Sequence, residues 1–159
     1  MDDRKNESLA LSNLGLVYDL LGDYDQATAC HQQSLKIAQA NGDQGAVGTE
    51  LGYLGSIYYS LGDFAQAIDY YEQALPIAQE TGDRIQTGAT LGNLGLAYQG
   101  LGDFNRAIDY HQQDLAIANE LDIYASVGQA LGNLGLAYQS LGQYPEAIDY
   151  LQQYRSLAD

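Results

Sequence analysis

Cysteine, tryptophan and basic residues are scarce in this chain of 159 residues. Its one cysteine, Cys30, excludes an intrachain disulfide, and nothing indicates an oxidising compartment. Lys and Arg number 6 against 21 Asp and Glu, which gives a formal net charge of -15. This balance argues against nucleic acid and anionic membranes as partners, because phosphate groups need a basic surface. It favours a basic protein partner or, alternatively, serves solubility alone.

Signals for membranes, secretion and catalysis are also missing. The polar start MDDRKNES lacks the apolar run of a signal peptide, and no apolar stretch is long enough to cross a bilayer. We therefore expect a cytoplasmic protein. No glycine loop follows a strand, no serine lies in a nucleophile elbow, and one Cys with two His does not give zinc-ligand spacing. The sequence predicts neither an enzyme, nor a cofactor, nor a metal site.

The chain contains one unit repeated four times with a spacing of 40 residues. The repeated positions are Leu14-Gly15, Leu54-Gly55, Leu94-Gly95 and Leu134-Gly135, then Tyr18, Tyr58, Tyr98 and Tyr138, and then Ala27, Ala67, Ala107 and Ala147. We predict a single domain, 1–159, whose repeats cover approximately 3–42, 43–82, 83–122 and 123–159.

Each unit has the pattern of two helices. Leu91, Leu94, Gly95 and Tyr98 fall at i, i+3, i+4 and i+7, which is one face of an α-helix. The pair Gly102-Asp103 then ends this helix and caps the next one. Paired helices bury their apolar faces by stacking on neighbouring pairs, so the pattern predicts an all-α fold, an α-solenoid of four helix-turn-helix repeats.

Two details of the pattern predict local features. At the third junction between repeats, Asp122-Ile123 stands in place of the Gly-Asp pair that ends one helix and caps the next. We therefore expect this junction to be less regular. Pro145 is expected near the start of a second helix, where its missing N–H costs least.

These residues resemble the tetratricopeptide repeat family over the whole chain. Leu54, Gly55, Tyr58, Ala67 and Ala74 match its pattern in the second unit. The usual repeat has 34 residues, and this longer unit is similar to Leu-Gly-Asn repeats and to kinesin light chain repeats. LGNLG at 91–95 and 131–135 spells the Leu-Gly-Asn signature. The resemblance implies a right-handed superhelix whose first helices line a concave groove that holds a peptide or a protein.

The chain departs from the family pattern at one position of the second helix. An aromatic residue usually stands there, and this chain has His31, Tyr71, His111 and Leu151. We interpret the two histidines as packing residues. Some members of the family hold a peptide carboxylate with basic groove residues, but none of the corresponding positions here is basic, so that kind of clamp is not expected.

The helical wheel separates the two glycines of LGNLGLAYQ. At 100° per residue, Gly95 lies on the packed face, where we expect it to allow close approach of the second helix near Ala107. Gly92, Asn93, Leu96 and Gln99 point away from that face, toward the groove. With the equivalent positions of other repeats, the predicted partner-binding residues are Asn13, Leu16, Tyr53, Ser56, Tyr59, Gly92, Asn93, Leu96, Gln99, Gly132, Asn133, Leu136 and Gln139.

Each class of groove residue has an alternative interpretation. The glycines at 92 and 132 allow either close approach of a ligand backbone or tight packing between adjacent first helices. The asparagines hold a peptide main chain, or they bond to a neighbouring repeat or to water. The leucines form an exposed protein-binding strip, or they are buried against the next unit.

The resulting hypothesis is a non-catalytic module that binds a peptide segment or partner protein in its concave groove. The alternative is a structural scaffold that self-associates through uncapped solenoid ends. In that case Leu151, Tyr154 and Leu157 would support a homo-oligomer through the C-terminal repeat end.

Overall fold

A computed structural model of the protein describes residues 2–157, with side chains from residue 3 onward. These residues form eight α-helices and no strand, which confirms the all-α, helix-turn-helix prediction. Ala158 and Asp159, the end of the predicted fourth repeat, lie outside the described residues. The helices are α1 (Asp2–Leu20), α2 (Tyr24–Asn41), α3 (Gln44–Ser60), α4 (Phe64–Glu80), α5 (Arg84–Gly100), α6 (Phe104–Glu120), α7 (Tyr124–Ser140) and α8 (Tyr144–Ser156).

The turn between α5 and α6 forms as the glycine–aspartate signal predicts. Gly102 has φ of +79°, and its N–H donates to the Gln99 carbonyl at 2.9 Å. The next N–H, of Asp103, donates to the Tyr98 carbonyl at 2.9 Å, which completes a Schellman-type ending of α5. The Asp103 carboxylate then accepts from the Arg106 N–H at 3.1 Å and caps α6. One dipeptide therefore ends one helix and starts the next.

The junction at Asp122-Ile123 keeps the backbone hydrogen bonds of the other turns and loses the cap. Asp122 takes the left-handed φ of 53° that glycine holds elsewhere. The Ile123 N–H still donates to the Ala118 carbonyl at 3.0 Å, but no side chain caps α7. The predicted irregularity is thus confined to side-chain capping and to strain at one aspartate.

The two prolines occupy different places in their helices. Pro145 lies in the first turn of α8, as predicted. Pro76 lies inside α4, a position that the sequence pattern did not mark as an interruption.

The chain divides into two compact units, Met1–Asp83 and Arg84–Asp159, hereafter unit 1 and unit 2. In unit 1, α1 packs on α2, α2 on α3, and α3 on α4. In unit 2, α5 packs on α6, α6 on α7, and α7 on α8, while α5 also contacts α7. The single domain over 1–159 and the right-handed superhelix stay predictions.

The packed-face glycines bring the two helices of each repeat together. A Cβ added at Gly95 would lie 2.4 Å from Cε1 of His111, well inside contact distance. The predicted close approach therefore exists, but the facing residue is His111, one turn beyond Ala107. The same relation holds for Gly15 with His31, Gly55 with Tyr71, and Gly135 with Leu151. The position at which three of the four repeats depart from the family pattern is thus the one whose side chain lies on the glycine.

Stacked tyrosine pairs join the two helices of repeats two, three and four. Their ring centroids lie 5.4 Å apart in every case: Tyr58–Tyr70, Tyr98–Tyr110 and Tyr138–Tyr150. Cys30 stands at the equivalent second-helix position of the first repeat and is buried. It is a packing residue there, as its size suggests.

Candidate functional site

A pocket of about 190 Å³ with a mainly apolar lining lies among α5, α6 and α7 of unit 2. It collects four of the predicted binding residues: Gly92, Asn93, Leu96 and Asn133. Its other lining residues are Arg84, Ile85, Gly88, Ala89, Asp114, Ile117, Ala118, Leu121, Ile123, Ser126 and Gln129. Two successive first helices therefore contribute to one concavity, with the second helix α6 as its floor.

The floor of this unit 2 pocket carries a buried carboxylate, Asp114. Its side chain is only 9% exposed, and it has no hydrogen-bond or ion-pair partner among residues 3–157. Burial raises the pKa of Asp114 from 3.8 to about 6. The carboxylate is therefore mostly ionised near pH 7, although it has lost much of its hydration.

Two glycines make room for the Asp114 carboxylate. A Cβ added at Gly92 would lie 2.9 Å from Oδ2 of Asp114, and one at Gly88 would lie 3.5 Å from Oδ1. Gly92 therefore faces the second helix of its own repeat, a contact that neither sequence-based alternative named. An alanine there would press on the carboxylate and narrow the pocket.

The rim of the unit 2 pocket carries neutral amides and one ion pair. No hydrogen bond joins the carboxamide of Asn93 or Asn133 to another residue in the described part of the chain. Arg84 is paired through two of its nitrogens with Glu120 at the exposed edge. This pairing raises the pKa of Arg84 and lowers the pKa of Glu120. The two rim charges therefore compensate each other, whereas the charge on the floor is uncompensated.

Unit 1 has an equivalent pocket of about 370 Å³ among α1, α2 and α3. It collects three predicted residues: Asn13, Leu16 and Tyr53. The Tyr53 ring lies 4.9 Å from the ring of His31, whose Nδ1 is 2.7 Å from Oε2 of Glu50. Glu50 and His31 are both buried, so an internal pair supports the tyrosine wall. This supporting pair was not visible in the sequence.

The remaining predicted residues lie outside both pockets, and three of them have partners within their own repeat. The Ser56 hydroxyl bonds to the Gly52 carbonyl and lies 3.1 Å from the Tyr71 hydroxyl. The Tyr59 ring packs edge-on against Phe64 at 5.4 Å. Gln99 accepts a hydrogen bond at 2.7 Å from Nε2 of His111. The others are Gly132, which faces the Tyr154 ring, and Leu136 and Gln139, which are exposed.

His111 is a neutral packing residue in this arrangement. With Nε2 donating to Gln99, its Nδ1 is unprotonated, buried and without a partner among the described residues. Burial lowers the pKa of His111 to about 4. This agrees with the interpretation of the two histidines as core residues.

Asp114 is the residue that sequence reasoning missed. Aligning the repeats at their spacing of 40 places it at the position held by Ser34, Ala74 and Tyr154. Ser34 and Ala74 are small, and the family pattern asks for a small residue there. The sequence did offer a signal for this residue, namely a carboxylate at a position where a small residue is usual, in a repeat whose first helix has Gly88 and Gly92.

The last repeat presents an apolar surface, here called the terminal face. Tyr124, Gly128, Tyr154 and Leu157 line its open depression. Tyr154 is 50% exposed and Leu157 is 43% exposed. This is the end at which the sequence predicted self-association.

Neither a metal-ligand cluster nor a membrane-spanning helix is present among the described residues. No group of three or more His, Cys, Asp or Glu side chains there is arranged to hold a metal ion. None of the described helices combines the length and apolar character needed to cross a membrane.

Comparison with known families identifies the repeats. Sequence profiles of the tetratricopeptide repeat match residues 46–120 and, in two further segments, 8–41 and 128–157. No curated protein matches the chain closely enough to count as a relative.

Three solved structures illustrate the structural likeness. BtubC (BKLC) from P. vanneervenii is 28% identical with a TM-score of 0.89, over 95% of this chain and 63% of its own. Aspartyl phosphate phosphatase F from Bacillus subtilis is 18% identical, with a TM-score of 0.91 over 98% of this chain and 41% of its own. A Rap protein complexed with competence and sporulation factor is 19% identical, with a TM-score of 0.87 over 99% of this chain and 44% of its own.

At identities of 18% and 19%, the last two likenesses show the fold alone. The chain spans 63% of the length of the first of these proteins and less than half of the other two.

Proposed function

We propose that this chain, which belongs to the tetratricopeptide repeat family, binds an extended peptide segment of a partner protein on its first-helix surfaces. Members of this family are generally non-catalytic protein–protein interaction modules. The observation that carries the finer proposal is the pair Asn93 and Asn133. The two carboxamides lie on successive first helices, line one pocket, and have no partner among the described residues.

A carboxamide suits this task because it offers two donors and an acceptor. An extended peptide presents alternating N–H and carbonyl groups, so amides on two neighbouring helices can hold its main chain whatever its side chains are. Leu96 supplies apolar area beside them, and in unit 1 Leu16 and Tyr53 do the same beside Asn13. Tyrosine is a frequent anchor at such interfaces.

One comparison supports the proposal without carrying it. A structural neighbour, the Rap protein, has been crystallised in complex with competence and sporulation factor. A fold of this kind therefore accommodates a bound factor in at least one solved structure.

A selection from a library of short random peptides tests the proposal. Wild-type protein should enrich peptides, and Asn93→Ala with Asn133→Ala should weaken their binding by about tenfold for each lost pair of hydrogen bonds. Leu96→Asp should abolish it, because the new carboxylate would lose hydration against a bound peptide. Asn105→Ala is the matched control, since Asn105 is an exposed asparagine on α6 outside the pocket.

Two outcomes would contradict the proposal. One is that folded wild-type protein enriches no peptide. The other is that the enriched peptides bind equally well to Asn93→Ala, Asn133→Ala and Leu96→Asp. Circular dichroism of every variant checks that the helices are intact.

A second candidate function, a self-associating scaffold, is favoured by the exposed apolar residues of α8. Ile148 is 55% exposed and Leu151 is 39% exposed, beside Tyr154 and Leu157 of the terminal face. Sedimentation across a concentration series tests this candidate, with Ile148→Lys as the variant that should shift any association toward monomer. A strict monomer at high concentration would remove it.

A further inference from the structure

We propose that the unit 2 pocket recognises a lysine or arginine side chain of the bound peptide, with the Asp114 carboxylate as its counter-ion. This inference rests on the proposed peptide-binding function and adds a chemical specificity to it. The geometry that carries it is a buried carboxylate at the floor of an open, mainly apolar pocket, without a cation or donor of its own among the described residues.

The Asp114 carboxylate is buried and has no partner of its own among the described residues. Asp114 is 9% exposed and lines the unit 2 pocket, and no described side chain pairs with it. A buried charge without a partner is unfavourable, and a cation brought to it offsets part of the lost hydration energy. A lysine ammonium or an arginine guanidinium would supply both the charge and the hydrogen-bond donors.

The other polar groups that line the pocket are neutral or already paired. From α7 the pocket receives Ser126, Gln129 and Asn133, which carry no charge. From α5 it receives Arg84, whose guanidinium is held at the exposed rim by Glu120 of α6. His111, one turn before Asp114, is a neutral ring because burial lowers its pKa to about 4. Asp114 is therefore the charge that a ligand would meet inside the pocket.

The size of the pocket suits a single side chain. The pocket holds about 190 Å³, below the roughly 300 Å³ at which pockets begin to enclose whole small-molecule ligands. It suits one long side chain entering from a peptide that lies across the rim. The amides of Asn93 and Asn133 are at that rim, where a main chain would pass.

Only one of the four repeats has a carboxylate at this position. The position of Asp114 holds Ser34, Ala74 and Tyr154 in the other repeats. Ser34 is satisfied internally, because its hydroxyl bonds to the Ser8 carbonyl at 3.0 Å and lies 2.9 Å from the Ser8 hydroxyl. The negative chain, with a formal net charge of -15, also draws basic ligands toward it. Selectivity for a basic residue is thus expected at one place in the peptide.

The test compares the peptides that different variants select from the same random library. Wild-type protein should enrich lysine or arginine at one position, and Asp114→Asn should lose that enrichment while still selecting peptides. The matched control is Asp109→Asn, which removes the same charge from an exposed position of α6 outside the pocket. It should keep the enrichment.

Affinities of one selected peptide then measure the pair directly. Replacing its basic residue by norleucine should weaken binding to wild-type protein by about tenfold or more. The same replacement should change binding to Asp114→Asn by less than about twofold, because the interaction is already lost. The norleucine comparison on wild-type protein also keeps the test valid if Asp114→Asn folds poorly.

The pH dependence of peptide binding distinguishes a direct contact of Asp114 with the peptide from a purely structural role of this residue. Binding of the basic peptide to wild-type protein should weaken from near pH 7 to near pH 5, as Asp114 is protonated through its pKa of about 6. Binding to Asp114→Asn should not show this step.

The outcomes separate the two proposals. Peptides that are enriched without a preferred basic position would overturn this inference and leave peptide binding intact. An equal cost of the norleucine change in wild-type protein and Asp114→Asn would also overturn it. Failure of wild-type protein to select any peptide would instead overturn the proposed function, and this inference with it.

Discussion

Replacing Gly95 by alanine should destabilise the protein, whereas the same change at Gly52 should stabilise it. Both glycines lie inside first helices, where alanine is intrinsically preferred by about 1 kcal/mol. At Gly52 an added Cβ would meet no atom within 4 Å, so the preference should appear nearly in full. At Gly95 the Cβ would lie 2.4 Å from the His111 ring, so the ring would have to move.

The cost at Gly95 follows from how firmly that ring is held. His111 is fully buried, and Nε2 donates to Gln99 at 2.7 Å, so a shift of the ring strains both its packing and that bond. Overpacking of this kind typically costs about 1–3 kcal/mol. Because both variants gain the same helix preference for alanine, the difference between them is the overpacking cost, and we expect Gly95→Ala to fall about 1–3 kcal/mol below Gly52→Ala in the free energy of unfolding.

Urea denaturation followed by circular dichroism measures this difference, with the slope of each transition checked for a change in cooperativity. The double variant Gly95→Ala/His111→Ala provides an internal test. With the ring removed, the alanine at 95 should no longer clash, and the double variant should be more stable than His111→Ala alone. If Gly95→Ala proves as stable as Gly52→Ala, the packing explanation of the repeated glycine is wrong.

Two further predictions concern unit 2. The pKa of Asp114 in the folded protein, about 6, lies above its ordinary value of 3.8. The protonated carboxyl therefore stabilises the folded state fully below pH 3.8, and this stabilisation is lost as the pH rises through 6. Near pH 7, Asp114→Asn should therefore exceed wild type by up to about 3 kcal/mol in the free energy of unfolding measured with urea, and this difference should disappear near pH 4. A difference that stays constant with pH would contradict this. Asp122→Gly should raise stability by about 0.5–1 kcal/mol, because glycine accepts the left-handed φ of 53° without strain; a lower denaturation midpoint would contradict that assignment.

Much of the fold could be predicted from the sequence because its determinants are local. The spacing of 40 between equivalent Leu-Gly pairs predicts the repeat, and the turn between α5 and α6 forms where Gly102 and Asp103 stand. Helix ends of this type depend on one left-handed residue and one capping side chain, both of which a sequence shows directly. The family comparisons and the eight helices confirm this part.

The candidate site could be predicted only in outline. The wheel placed Asn93, Leu96 and Asn133 on one surface, and the unit 2 pocket does contain them. The wheel gave Gln99 the same direction, yet this side chain is bonded to His111 on the second helix. A helical wheel describes one helix at a time and has no information on what the neighbouring helix presents.

The sequence by itself determined the repeat, the helix pairs, their glycine and aspartate boundaries, and the surface on which polar and apolar side chains recur. Only the tertiary structure decided which side chain faces each glycine. Gly95 meets the His111 ring and Gly92 meets the Asp114 carboxylate, although both glycines belong to the one stretch LGNLGLAYQ. The physical reason is that helix periodicity is a property of neighbours in the chain, whereas burial, and with it the raised pKa of Asp114, depends on residues brought together from α5, α6 and α7.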